Sequence, residues 1–259
     1  MINDFQIENG ILTLNPGTEY MEAEKFAERD DIFEVILPDG LRHISMACFT
    51  SCNNLRKVNI PSTVEVIDDG AFLMCESLAE IFFPDGLKSI NDLAFQSTML
   101  EKITVPESVT HIGEEAFFDC VNLREANVLN PECEILGDGF GSCENLIRGY
   151  IAPGYPAETL PGTELLYSLL WAGCPEKHSE TTSKRAESFI RNNETLVMER
   201  ILKYNNVCAM TGISSRKLLD VKNIDKYVKQ TTLNKQTELT TLLIKAKGEN
   251  RMNMEEFEL

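Results

Sequence analysis

Six phenylalanines stand at nearly equal intervals along the first half of the chain: Phe26, Phe49, Phe72, Phe95, Phe117 and Phe140. The steps between them are 23, 23, 23, 22 and 23 residues. A fixed period constrains a fold more than local propensity does, because each unit must take one shape and meet its neighbours in one way. Other columns keep the same register. Small residues follow at Cys52, Cys75, Thr98, Cys120 and Cys143, then aliphatics at Leu55, Leu78, Leu100, Leu123 and Leu146. Leu100 comes one residue early, which accounts for the single step of 22. Val58, Ile81, Ile103 and Ala126 come next. Ile60-Pro61, Phe83-Pro84 and Val105-Pro106 follow them, with Leu37-Pro38 ahead. Each unit closes on a pair such as Val64/Ile67, Leu87/Ile90 or Val109/Ile112, and Ala71, Ala94 and Ala116 lead into the next phenylalanine.

The alternation Val58-x-Ile60 has the two-residue period of a strand with both aliphatics inward. The proline after it cannot donate to a ladder and ends the strand. The Ala-Phe-x-x-Cys stretch has room for one helical turn on the opposite side. Acidic and glycine residues precede it (Asp68-Asp69-Gly70, Asn91-Asp92, Gly113-Glu114-Glu115, Gly137-Asp138-Gly139), and carboxylates suit a helix N-terminus. Calcium binding is the rival reading of those clusters. No unit can bury its apolar side alone, so about six must stack to share one core.

This pattern closely resembles the BspA-like, treponemal class of leucine-rich repeats, over residues 26–153. The resemblance implies a curved right-handed α/β repeat solenoid with parallel strands on its concave face. It also implies a role in binding other macromolecules, often at a bacterial surface. The last unit, Leu146 to Pro153, departs from the pattern and is expected to end the array. Residues 1–25, with Ile11–Leu14 reading as a strand, are expected to cap the other end.

Two outward columns follow from the strand alternation. The first is Glu34, Lys57, Glu80, Lys102, Glu125 and Arg148, alternating in sign throughout. Parallel strands lie ~4.8 Å apart, so each charge has opposite neighbours above and below. This reads as a self-neutralising ladder, or else as a charged strip facing a partner. The second column is Ile36, Asn59, Phe82, Thr104, Asn127 and Tyr150. Ile36, Phe82 and Tyr150 are costly to leave in water. They suggest a contact patch, unless another part of the chain covers them. These twelve residues are the expected partner-binding surface.

The chain offers few groups placed for chemistry. Cys52, Cys75, Cys120 and Cys143 share one repeat position and are expected to be a buried ladder of reduced thiols. No C-x-x-C occurs, and Cys48/Cys52 has no histidine at ligand spacing. His43 and His111 hold equivalent places three units apart, too far to share a metal. Gly137-Asp138-Gly139-Phe140-Gly141 lacks the lysine and long preceding strand of a phosphate loop. No catalytic residue, metal site or cofactor is expected.

Charge is unevenly spread. Residues 1–174 hold 29 acidic and 9 basic residues, net −20, whereas residues 175–259 hold 12 and 15, net +3. The acidic part is a poor match for nucleic acid or an anionic membrane. No apolar run approaches the ~18–20 residues that cross a bilayer. Met1-Ile2-Asn3-Asp4 opens no signal peptide, so the chain as it stands is expected in the cytoplasm. A chain trimmed of its leader would read the same and would be surface-bound or secreted.

Periodicity changes to 3.6 after about residue 160, with Pro153, Pro156 and Pro161 at the transition. Helices are predicted near Glu164–Trp171, Ala186–Ile190, Val197–Leu202, Ile224–Val228 and Leu239–Ala246. Asn223 and Asn234 are the expected N-caps, Gly248 the expected C-cap, and Glu249–Leu259 a loose tail. Lys222–Lys247 looks like the paired helices of ankyrin-type repeats. The domains are thus read as a cap over 1–25, a solenoid over 26–153 and a helical domain over 154–259. The chain reads as a non-enzymatic protein-binding module whose partner is a protein or other macromolecule. One rival is a structural protein whose concave face is covered by its own helical domain. The other is an enzyme using carboxylates in an acidic cleft.

Overall fold

The computed structural model describes residues 4–130, 132–146, 148–151, 168–169, 171–173 and 180–255 of the 259-residue chain. The chain divides into two compact units: residues 1–146 with 150–163, and residues 147–149 with 164–259.

The first unit is a stack of rungs. One wall carries β1 (Phe5–Glu8), β2 (Ile11–Leu14), β3 (Glu34–Ile36), β5 (Lys57–Asn59), β8 (Lys102–Val105), β10 (Glu125–Val128) and β12 (Arg148–Ile151). All pairings recorded from β2 onward are parallel and in repeat register: Val35 beside Val58, Ile103 beside Ala126. Alternation is as the period-two pattern requires. Val35, Val58, Ile103 and Ala126 are buried, while Lys57, Asn59, Lys102 and Thr104 between and beside them are exposed. At the N-terminal end β2 joins β3 as one more parallel strand, and β1 folds back antiparallel on β2. Phe5 meets Phe26 edge-on at 5.0 Å.

A second wall was not foreseen as a sheet. The second residue of each closing pair, such as Ile67, Ile90 or Ile112, lies in one of a further set of strands: β4 (His43–Ile44), β6 (Val66–Ile67), β7 (Ser89–Ile90), β9 (His111–Ile112) and β11 (Glu134–Ile135). They make one unbroken parallel sheet in the order β11-β9-β7-β6-β4. Two-residue strands are too short to be seen as alternation in a sequence, and stacking alone gives them partners.

Between the walls runs the phenylalanine column. Successive rings from Phe26 to Phe140 lie 5.2–5.5 Å apart and within 12° of parallel, all fully buried. Each is flanked by turns rather than by the helical turn predicted there. In the rung of Phe49, the amides of Cys48, Thr50 and Cys52 close three-residue turns on Ser45, Ala47 and Phe49. The alternate amides, Ala47, Phe49 and Ser51, donate instead to Asp69, Ala71 and Leu73 of the next rung. A helix would direct every amide back along its own chain. Here half of them lace neighbouring rungs together, and Ala47 and Ser51 take left-handed φ values of 50° and 56° to allow it. The acidic residues therefore cap no helix. Asp92 instead accepts the backbone amide of Glu114 on the next rung at 2.7 Å.

The first wall has one break. It divides into β1-β2-β3-β5 and β8-β10-β12, and between them Glu80 makes only a single bridge with Lys102. The strand expected through Ile81-Phe82-Phe83 does not form. Two irregularities meet here. The rung of Phe95 is the one a residue short, and it lacks the turn that other rungs make at Asn53–Asn54, Glu76–Ser77 and Val121–Asn122. Phe83 also replaces the aliphatic of its column, and its ring reaches edge-on to Phe95 at 5.5 Å and Phe117 at 6.4 Å.

The second unit is helical: α1 (Glu180–Asn192), α2 (Glu194–Tyr204), α3 (Val207–Ser215), α4 (Val221–Leu233) and α5 (Thr237–Glu255), with helical residues at 168–169 and 171–173 before them. The rest of the predicted 164–171 helix, and Pro153, Pro156, Pro161 and Cys174, lie outside the described residues. Trp171 is fully buried, donates to Ser183 at 3.1 Å and carries the Arg216 guanidinium 5.0 Å over its ring. Gly212 of α3 lies against the Ala172 carbonyl, where a Cβ would come within 1.7 Å. Three end signals are corrected. Asp220, not Asn223, caps α4, accepting the Lys222 amide at 2.9 Å. Asn223 sits inside that helix and bonds Glu194, and Asn234 ends α4 rather than starting α5. α5 runs on through Gly248 to Glu255, so the tail is helical for most of its length.

Candidate binding face

The first wall places most of the twelve predicted residues together. Glu34 and Lys57 stand opposite one another in register and pair at 2.7 Å, as do Lys102 and Glu125. Asn127 donates to the same Glu125 carboxylate at 3.1 Å. Within the described residues the column pairs Glu34 with Lys57 and Lys102 with Glu125, and neither lysine is turned to Glu80. Glu80 is beside Lys102 by backbone register, but Lys102 is turned to Glu125. Exposed pairs of this kind contribute only ~0.2–1 kcal/mol each. Their consequence is to leave Glu80 without an ion pair among the described residues. The backbone of β12 is described, but the side chains of Arg148 and Tyr150 lie outside the described residues.

In the second column Ile36 packs beside Thr13 and Asn59 by register and is 37% exposed. Phe82 is 73% exposed, more than any other large apolar side chain of the first unit whose exposure is described. It stands on the segment where the sheet is broken. Beside it opens a groove of about 590 Å³ between the Ala79–Asp85 segment and the two rungs that follow. Thr104 and Lys102 of the predicted columns line it, and so does Glu80. Asp85, Glu101, Pro106 and Leu129 line it too and were not anticipated. Two signals for them were present: the 22-residue step, and a leucine at 129 where earlier units carry Pro61, Pro84 and Pro106.

The second wall has its own outward charges, also unanticipated. Glu65 is bridged by Arg42 on one side and Lys88 on the other, and the two cations hold its carboxyl below the usual range. His43 lies 4.0 Å from Asp68, and His111 lies 3.7 Å from Glu134. Burial raises the Asp68 carboxyl, partly offset by His43. The thiol column lies inside: Cys52, Cys75, Cys120 and Cys143 are buried and donate to the carbonyls of Phe26, Phe49, Phe95 and Phe117 at 3.0–3.2 Å. Among the described residues no three of His, Cys, Asp or Glu converge as a metal site would, and no helix is long and apolar enough to cross a membrane.

Parallel rungs, a stacked phenylalanine core and an outward strand face define a leucine-rich-repeat scaffold. The chain belongs to the BspA type leucine-rich repeat family, whose model matches residues 6–147 in six copies. It is similar to a leucine-rich repeat protein from Bacteroides ovatus, with 27% identity and a TM-score of 0.52 over 54% of this chain and 37% of that one. The T. pallidum leucine-rich repeat protein is 24% identical, with a TM-score of 0.48 over 60% of this chain and 80% of that one. A leucine-rich repeat protein from Eubacterium ventriosum is 26% identical, with a TM-score of 0.45 over 62% and 42%. This chain thus spans well under half of the Bacteroides and Eubacterium chains. No curated protein matches it.

Proposed function

We propose that this protein is a binding module without catalysis of its own, and that its working surface is the outward face of the first wall around Phe82. The observation that carries the reading is a phenylalanine left 73% exposed beside a groove of about 590 Å³, on a scaffold that fully buries the six phenylalanines from Phe26 to Phe140. Leaving such a ring in water forgoes roughly 1.5–3 kcal/mol, which contact with a partner recovers. Aromatic anchors beside pockets are where interface energy concentrates. Ile36, Asn59 and Thr104 extend the contact along the rungs, and the paired charges at Glu34–Lys57 and Lys102–Glu125 form a polar rim.

The test is affinity capture from cells that make the protein, comparing the native chain with an Ile36→Ser, Phe82→Ser variant. Both side chains are exposed, so thermal unfolding should match within about 0.5 kcal/mol of stability. A partner retained by the native chain and lost by the variant supports the reading. Equal capture by both moves the working surface elsewhere.

A further inference from the structure

The groove beside Phe82 has a chemistry more specific than a general contact face, and the geometry points to one occupant: an extended peptide segment with a large apolar side chain flanked by lysine or arginine. This rests on the reading of the first wall as the binding surface. Its apolar floor is Ile81, Phe83 and Pro106, with Phe82 and Leu129 as exposed walls. Three carboxylates stand at its margins, Glu80, Asp85 and Glu101. None of them has an ion pair within the described residues. The one cation in the lining, Lys102, is already held by Glu125 at 2.7 Å. Arg124, on the rung after Glu101, is not part of the lining. The groove is thus apolar below and uncompensated acid above, within a unit whose net charge is strongly negative.

That combination selects among macromolecules. Nucleic acid and anionic lipid are repelled by the same carboxylates. An apolar side chain can fill the floor, and flanking cations can meet Glu80, Asp85 and Glu101. The break in the sheet adds a second attraction. Beyond the single Glu80–Lys102 bridge, the segment Ile81–Phe83 joins no strand, and its backbone groups are the ones we propose an extended chain to address.

The probe is a pair of blocked, dye-labelled octapeptides with a central leucine–phenylalanine, one flanked by lysine and arginine, the other by glutamate. Anisotropy titrations use the full chain. The basic peptide should bind in the micromolar range and the acidic one at least tenfold more weakly. An E80Q, D85N, E101Q variant should abolish that preference and flatten the salt dependence. F82S should weaken both peptides. Equal binding of the two peptides, or no binding of either at about 1 mM, overturns the proposal. If the basic peptide fails while F82S still loses a captured cellular partner, the charge chemistry is wrong and the site stands. If F82S loses neither, the site is wrong as well.

Discussion

The buried thiols make the residue scale directly measurable. Burial pushes Cys48 and Cys133 up to about 12 and Cys52 to about 11, from an ordinary 9.0. A folded chain therefore keeps protons that an unfolded chain releases above pH 9. Their contribution to stability is complete below that value and is lost as pH rises through 11 to 12, by at most ~1.4 kcal/mol per pH unit for each thiol. The urea midpoint should fall between pH 8.5 and 10.5, and fall less in a C48A, C52A, C133A variant. An identical slope in both chains would deny the thiols this role. At pH 8 the exposed Cys208 should be alkylated within minutes, while Cys52, Cys75, Cys120 and Cys143 react only on unfolding. The column was legible in the sequence because a small apolar residue recurring in register has few places to point. Phe82 was legible too, as an apolar residue at an outward parity. Asp85, Glu101 and Leu129 were not, since they come together only where a neighbouring strand is missing.

At the scale of the element, the segment around each core phenylalanine shows how stacking overrides a local preference. Ala-Phe-x-x-Cys suits a helical turn on propensity. The ladder between rungs wins because half of the amides find partners in the next copy, and a left-handed residue such as Ala47 makes that possible. The two descriptions predict opposite signs for one substitution. Ala47→Gly removes a Cβ from a left-handed residue and should stabilise by ~0.5–1 kcal/mol. In a helical turn the same change would destabilise by about 1 kcal/mol. Chemical denaturation of the two chains decides between them, and a loss of stability would sink the turn-and-ladder account. The strands of the first wall were readable because their three or four residues alternate. The second wall was not, because two residues carry no period.

For the whole molecule, the 23-residue repeat announced the solenoid and the change to a 3.6 period announced the helical unit. The ends of the helices were less legible, since Asp220 caps α4 with no better local signal than Asn223, and α5 passes through Gly248. The broken wall has a consequence for how the array opens. A stacked protein is a chain of nearest-neighbour couplings, and it unzips where one coupling is weak. Between β5 and β8 the second sheet and the amide lacing around the phenylalanines are continuous, but the first sheet is not. Deuterium uptake should therefore begin at Ile81–Phe83 and run ahead of Lys102–Val105, whose pairing with β10 is complete. The face proposed to receive a partner would then be the face where the solenoid breathes, and an occupant of the groove should slow that exchange by bracing the broken wall.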